Sequence, residues 1–248
     1  MTTLPCLGKG NPVTRANSPK MATLDIMNCV PPKSWKRTGI PTNAQMFGND
    51  TLGDCTSAGI ANAARAMASI YGYNVQITDE DVISFYSAST GYSPSVPGSD
   101  QGGIEVDVLN YAAKNGYKAG FQTLYPMWGN VNHKSRSEMA ICVAKVGPVY
   151  LGVQLAEADQ NQKLWSTHNE GNNTPGSWGG HCCLLWDYDG LGDDDEISII
   201  TWGGIQKATW AWLDSRIDEA HGIVFRQLIP AKDIGGWDAF VEQNKRFI

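Results

Sequence analysis

The sequence predicts an α+β domain in which a helical lobe packs against an antiparallel β-sheet or barrel lobe, with a cleft between the two lobes. Two observations carry this prediction. Apart from a short helix predicted in the C-terminal tail, the segments with helical character lie before residue 148, whereas the strand-like segments follow Pro148. The chain has 248 residues, of which 42% are hydrophobic. That content is enough for a sizeable core, and no internal repeat indicates another architecture.

The helices are predicted from small or periodic apolar residues and from capping residues at their ends. Asp54 is expected to cap the first helix, whose Ala-rich pattern is typical of a buried helix. Thr78 is expected to be the N-cap of the second, with Asp81 at the third helical position, as in a capping box. The predicted helices are residues 55–72, 78–90, 103–116 and 135–147.

The strands are predicted after the helices, in apolar, β-prone segments bounded by turns. They cover residues 149–155, 181–190 and 196–204, and residues 208–229 are predicted to supply a turn and a final strand. The aromatic run at 209–212 is expected to serve packing. The chain is divided into an extended arm at 1–30, one domain at 31–230 and a C-terminal docking tail at 231–248 that contains a short helix.

Composition and charge exclude several functions. The net charge is −6 and no basic run is present, which argues against nucleic-acid binding. No run of 18 apolar residues predicts a membrane helix, and the first 20 residues lack the apolar core of a signal peptide. The six cysteines form no CxxC pair, so neither a metal nor a cofactor is expected. A cytoplasmic or virion-associated protein with reduced thiols is therefore expected.

Cys55 and His181 are the candidates for chemistry. Cys55 starts the first predicted helix, where free backbone N–H groups favour a thiolate, and a neighbouring imidazole would lower the thiol pKa further. His181 follows the Gly-rich segment GSWGGH, where backbone can approach a cleft closely. A lone buried cysteine is more often a small core residue, and a lone histidine is more often a structural hydrogen-bonding group. The sequence pattern around Cys55 and His181 favours a catalytic role for the pair.

Five segments, in order, resemble the papain family of cysteine proteases over about residues 31–226. The segments are FGNDTLGDCTSAGIANA, SDQGGIEVDVLNYAAKNGY, VGPVYLGVQL, GGHCCLLWDYDG and IITWGG. The resemblance implies a papain-like fold, with Cys55 as nucleophile and His181 as general base. It also implies that Asn49, in place of the family's Gln, donates to the oxyanion together with the backbone N–H of Cys55.

The third catalytic position departs from the family. The residue that aligns with the family's Asn is Ile200, which cannot hold an imidazole by hydrogen bonding. Thr201 beside it has a hydroxyl; either Thr201 substitutes, or another side chain such as Asp187 does, or the site is weakened. The resemblance implies that Trp202 shields the histidine from water.

Other parts of the resemblance concern substrate and redox state. Gly102 and Gly103 match the glycines that let a peptide substrate pair with the cleft wall, although a simple turn is the alternative. The family's disulfide cysteines near the nucleophile fall on Leu52 and Asp100, so no disulfide is expected. The chain is also too short to hold the long inhibitory pro-segment of secreted members.

Two functions stay open at this point. The first is a thiol hydrolase that cleaves peptide or amide bonds in a peptide or protein substrate, with peptidoglycan cross-links as one variant. The second is a non-catalytic papain-fold protein with a structural or binding role, for example a phage virion component that assembles into a larger particle. The distance between the Cys55 sulfur and the His181 ring is the observation expected to separate them.

Overall fold

The computed structural model describes residues 5–13, 18–37, 44–229 and Glu242. Helices and a large, mostly antiparallel sheet occur in the predicted order, so the α+β class and the two packed layers are confirmed. Among the described residues, no helix is long and apolar enough to cross a membrane.

Between residues 44 and 229 the structure describes five α-helices, and they agree with the predicted segments to within a few residues, apart from the last, which the sequence did not predict. Thr78 accepts a hydrogen bond from the Asp81 N–H, and Asp81 accepts one from the Thr78 N–H, so the capping box is confirmed. The expected Asp54 cap is wrong, because its buried carboxyl group makes no bond to the helix. The helices are α1 (Cys55–Ile70), α2 (Asp79–Thr90), α3 (Glu105–Asn115), α4 (Arg136–Lys145) and α5 (Trp210–Arg216).

Seven strands form one sheet in the order β3-β9-β4-β6-β7-β8-β5, and every neighbouring pair is antiparallel except β5 with β8. The remaining two strands form a separate hairpin. The strands are β1 (Tyr117–Ala119), β2 (Gln122–Leu124), β3 (Pro126–Asn130), β4 (Val149–Leu155), β5 (Leu164–Trp165), β6 (Gly179–Tyr188), β7 (Glu196–Thr201), β8 (Gly204–Thr209) and β9 (Ile217–Phe225).

Several elements differ from the prediction, including the unpredicted strands β5 and β8. Residues 210–216 form α5 where a turn was expected, because the Thr209 side chain caps the Trp212 N–H and starts a helix. Trp210 and Trp212 are fully buried, so their packing role is confirmed. The three strands between Tyr117 and Asn130 were not predicted, and they are only three to five residues long.

The N-terminal arm is not extended throughout. Two short 3₁₀ turns occur at Met21–Thr23 and Asp25–Met27, and Met21 and Leu24 are buried. The expected docking helix near the C-terminus lies outside the described residues, except for Glu242.

Close packing of α1 on the sheet fixes the position of Cys55. A Cβ atom at Gly59 would lie 2.8 Å from the Tyr150 ring, so glycine allows the helix to approach β4 and β6. The Tyr150 hydroxyl donates to the Thr56 carbonyl at 2.8 Å, and the Tyr117 hydroxyl donates to the Ser57 carbonyl at 3.1 Å. The first turn of α1 is therefore held from two sides.

Candidate active site

Cys55 is the first residue of α1, as predicted, and its side chain is buried. Burial raises the pKa of the thiol to about 12, although backbone N–H groups of Cys182 and Gly8 act in the opposite direction. The expectation that the helix end and an imidazole lower this pKa is therefore wrong for the resting structure. The physical reason is that chain covers the sulfur and removes the water that would solvate a thiolate.

His181 lies on β6 opposite Val153 of β4, and it is fully buried. Its Nε2 is 2.6 Å from the Thr201 hydroxyl oxygen. Its Nδ1 has no hydrogen-bond partner among the described residues, so no hydrogen bond joins it to Cys55. Burial lowers the His181 pKa to about 3, so the resting imidazole is neutral. If Nε2–H donates to Thr201, Nδ1 is left as the basic nitrogen.

The β7–β8 turn aims Trp202 at the imidazole. Thr201 pairs with Gly204, so Trp202 and Gly203 form a two-residue turn, and both have positive φ angles of 43° and 71°. The Trp202 ring stacks on His181 with centroids 4.3 Å apart and planes inclined by 23°. The expected shielding of the histidine thus has a geometric basis.

The other candidates for the third position do not reach His181. Ile200 is buried opposite Leu184, where it offers no polar atom. Asp187 lies six residues further along β6, roughly 20 Å away at about 3.3 Å per residue. Its carboxylate is 3.6 Å from the Lys36 ammonium group. Thr201 is therefore the partner that the fold brings to the imidazole.

Asn49 is buried, but its amide is already engaged. Its Nδ2 donates to the Leu52 carbonyl at 3.0 Å, and no hydrogen bond joins it to Cys55 or His181 in the part of the chain that is described. The Asn49 amide also interacts with the Asp54 carboxyl group, where it acts to lower the pKa of that group. The geometry brings Thr201, Trp202 and His181 together and leaves Asn49 at the edge of the site.

Gly103 pairs with a peptide, and that peptide is the protein's own N-terminal arm. The Gly103 N–H donates to the Gly8 carbonyl at 2.7 Å, and the Gly10 N–H donates to the Gly103 carbonyl at 2.8 Å. On the opposite wall, the Lys9 N–H donates to the Gly180 carbonyl at 3.1 Å. A Cβ atom at Gly102 would lie 1.8 Å from the Gly8 oxygen, so only glycine fits there.

The arm covers the nucleophile without offering it a carbonyl group. The Gly8 N–H is directed at the Cys55 sulfur, whereas the Gly8 carbonyl is held by Gly103. Attack by sulfur needs a carbonyl carbon next to it and donors for the oxyanion. The arm in this orientation occupies the cleft as a plug and is not presented as a substrate.

Sequence reasoning missed a buried charged cluster beside the arm. The Lys9 ammonium group is 3.0 Å from Asp218 Oδ1 and 3.0 Å from Glu219 Oε1. His221 Nε2 is 3.3 Å from Glu219 Oε2 and 3.6 Å from Glu105 Oε2. No signal in the sequence indicated this cluster, because Lys9 lies in a turn-rich arm and Glu105 resembles an ordinary acidic residue at a helix start.

The same cluster contains a group with the geometry of a metal site. Among the described residues, single ligand atoms of Glu105, Glu219 and His221 lie within 4.8 Å of one another. In this structure the positive charge beside them is the Lys9 ammonium group. All six cysteines, including the buried Cys55, Cys182 and Cys183, are free thiols.

Comparisons with known proteins give matches in structure alone. No protein-family model and no curated protein matches this chain. Xylellain, a cysteine protease from Xylella fastidiosa, has a TM-score of 0.63 at 14% identity, covering 89% of this chain and 96% of its own. A recombinant stem bromelain precursor has a TM-score of 0.62 at 13% identity, covering 85% and 76%. The proform of the ragweed pollen cysteine protease Amb a 11 has a TM-score of 0.52 at 14% identity, covering 87% and 70%. At these identities the likeness establishes a common fold.

Proposed function

We propose that this chain, which has the papain-like fold, is a cysteine-type peptidase that cleaves peptide or amide bonds with Cys55 and His181. The observation that carries the proposal is the peptide in the cleft. Backbone groups of Gly103 and Gly180 hold an extended segment directly over Cys55. A cleft that binds main chain over a thiol at a helix start has the recognition and the nucleophile that a peptidase needs.

The proposed reaction begins when the arm leaves the cleft. The Cys55 thiol gives its proton to Nδ1 of His181, and the sulfur forms a bond to the substrate carbonyl carbon. The oxyanion accepts from the backbone N–H of Cys55 and from the Asn49 amide, which exchanges its contact with Asp54 for the oxyanion. His181 then protonates the leaving amine as the C–N bond breaks. A water molecule, deprotonated by His181, hydrolyses the thioester and restores the thiol.

Thr201 and Trp202 act through His181 in this proposal. The Thr201 hydroxyl at 2.6 Å fixes the ring orientation and directs Nδ1 as the reacting nitrogen. Trp202 covers one face of the ring. Burial keeps both Cys55 and His181 neutral while the arm is bound, and readmitted water would bring both pKa values back toward their ordinary ranges.

A non-catalytic binding or structural role is the second candidate. The observation that favours it is the missing hydrogen bond at Nδ1 of His181, together with a cleft already filled by the arm. A virion location, assembly into a larger particle and action on peptidoglycan cross-links stay predictions, as do a cytoplasmic location and the absence of nucleic-acid partners.

Labelling with a papain-type epoxide inhibitor tests the proposal, with peptide mapping to locate the modified cysteine. We expect stoichiometric modification of Cys55 in the chain with a weakened arm contact, Lys9→Met. The buried Cys142 serves as an internal control, since its thiol is also inaccessible and its pKa is raised by burial.

His181→Ala in the same background should slow this labelling by about 10²–10⁴-fold, because it removes the general base. Equal, slow modification of Cys55 with and without His181 would mean that no activated pair exists. The non-catalytic candidate would then stand.

A further inference from the structure

The Lys9 side chain enters a pocket beside the nucleophile and is completely buried there. Its ammonium group contacts Asp218 and Glu219 and also donates to the Gly10 carbonyl at 3.0 Å. Lysine is almost never fully buried unless it is paired. The pocket therefore supplies the partners that make this burial favourable.

The floor of the pocket is shaped for a long, unbranched side chain. Gly152 lies on β4 directly opposite Glu219 of β9. A Cβ atom at Gly152 would lie 2.1 Å from Cε of Lys9 and 2.6 Å from Cγ of Glu219. A side chain at position 152 would therefore fill the space that the Lys9 stem occupies. A cavity of about 210 Å³ is lined in part by Asp218, Glu219 and His221 of the same cluster.

Two carboxylates, those of Asp218 and Glu219, contact the single Lys9 ammonium group, and the Glu105 carboxyl group lies beside Glu219. Glu105 is fully buried, and neither carboxyl oxygen has a hydrogen-bond partner. Burial and the neighbouring Glu219 raise its pKa well above the usual range. Burial also acts to raise the pKa of Glu219, but the contacts with His221 and Lys9 outweigh it and lower that pKa. Two carboxylates at 3.0 Å from one buried ammonium group indicate a site for a cation.

The pocket has a fixed position relative to the thiol. Gly8 directs its N–H at the Cys55 sulfur, and the next residue, Lys9, is held by the Gly180 carbonyl and fills the pocket. A peptide held by the same backbone groups would also place one side chain in this pocket. That side chain belongs to the residue adjacent to the one over the sulfur.

We propose that Glu105, Asp218 and Glu219 form a specificity subsite that selects a lysine or arginine side chain, one residue away from the residue over Cys55. The Lys9 side chain fills this subsite in the resting protein. The proposal rests on the proposed function in so far as the selected chain is a substrate, but the selectivity for a cation can be measured as binding alone.

Binding is tested on the full chain, folded first and then cut. A recognition sequence for a site-specific protease is inserted between residues 13 and 18, and the released fragment is removed by dialysis after cleavage. The probe is a fluorescein-labelled peptide of residues 5–13 with Cys6→Ser, compared with the same peptide carrying norleucine in place of Lys9. Norleucine keeps the aliphatic stem and lacks the ammonium group.

We expect the lysine peptide to bind at least tenfold more tightly than the norleucine peptide. Glu219→Gln should lower this ratio, because only the Asp218 carboxylate then faces the ammonium group, and Gly152→Ala should weaken both peptides. Equal affinity of the two peptides, or no binding of either, would overturn the proposal.

Hydrolysis gives the second measurement. Dipeptide coumarin substrates Lys-Gly, Arg-Gly, Leu-Gly and Glu-Gly place the varied side chain one residue before the residue at the sulfur, which reaches the Lys9 pocket when the substrate runs opposite to the arm. We expect Lys-Gly and Arg-Gly to be cleaved at least tenfold faster than Leu-Gly, with the preference reduced in Glu219→Gln, where the Asp218 carboxylate remains. A preference for Leu-Gly would overturn the proposal. Cation-selective binding with no hydrolysis of any substrate would contradict the peptidase function and leave the subsite standing.

Discussion

The replacement Lys9→Met tests whether the arm controls access to Cys55. Methionine has a similar length and removes the ammonium group from contact with Asp218 and Glu219. The bound arm then covers acidic groups that have lost their cation. With the arm released, water can solvate those groups, so the substitution penalises only the covered state.

The magnitude follows from the burial of the pair. Lys9 is fully buried and the Glu219 side chain is 9% exposed. Removing one partner of a buried ion pair typically costs about 3–5 kcal/mol. Each 1.4 kcal/mol changes an equilibrium tenfold. Asp218 is 20% exposed, and Glu105 or Glu219 can take up a proton, so both effects reduce the cost of the lost ammonium group. We therefore expect the lower end of this energy range, which corresponds to about a 10²-fold increase in the population of molecules with the arm released.

The assay is iodoacetamide labelling of Cys55, resolved by peptide mapping, at reagent concentrations where opening and closing are fast relative to alkylation, so that the rate reports the open population. Cys29 is exposed and serves as the internal reference for reagent activity. The matched control is Lys145→Met, an exposed lysine at the end of α4, which should leave the Cys55 rate unchanged. An equal Cys55 rate in wild type and Lys9→Met would refute the reasoning that this contact holds the arm in place.

Three further predictions concern the site and the core. Thr201→Val should slow epoxide labelling of Cys55 by about tenfold, much less than His181→Ala, because an orienting hydroxyl only biases the tautomer and geometry of the imidazole. Thr201→Ser keeps a hydroxyl and should restore the labelling rate. Equal rates in the valine and serine variants would contradict this. Because the folded His181 pKa is lowered to about 3, the unfolded chain takes up the extra proton between pH 6.5 and 3, and the free energy of unfolding should fall as the pH falls through that range, by up to about 1.4 kcal/mol per unit. Burial raises the Asp54 pKa to about 8, with the opposite sign, so denaturation of wild type must be compared with His181→Gln, whose pH profile should be flatter on the acid side. Asp159→Ala should reduce the free energy of unfolding by about 3–5 kcal/mol, because the buried Arg216 loses the carboxylate that lies 3.0 Å from it. Asp193→Ala breaks an exposed pair with Arg136 and should cost less than about 1 kcal/mol. Similar losses for the two variants in urea denaturation would show that burial is not the deciding factor.

The parts of the fold that the sequence predicted depend on local patterns. Thr78 and Asp81 mark their helix through a capping box within four residues, and β4 has the predicted bounds because its apolar run is continuous. The α5 helix was missed because Trp210 and Trp212 favour strands in isolation, and the Thr209 cap is recognised only once the following turn is known. Asp54 failed as a cap because its buried carboxyl group makes no hydrogen bond to the first N–H groups of the helix.

The candidate site was predictable only where a motif carried it. Cys55, His181, Thr201 and Trp202 stand in segments that keep their order along the chain. The pKa values depend on burial by residues far away in the sequence, so a helix end alone gave the wrong direction for Cys55. Lys9 and Glu219 meet only in the folded protein, and no spacing rule joins them.

The arm is attached to the fold both in the cleft and at β3, and this determines how it competes with a free peptide for the cleft. Pro19 is fixed to β3, where its carbonyl accepts from the Asn130 N–H at 2.7 Å, and only residues 11–18 connect it to Gly10 in the cleft. A segment on so short a tether has an effective concentration in the millimolar range. Its return to the cleft is a first-order event, so diluting the protein does not release it. A free peptide must approach that concentration, or bind more tightly than the arm, to displace it. One cut within residues 11–18 would turn the same contact into an ordinary bimolecular equilibrium that dilution can break.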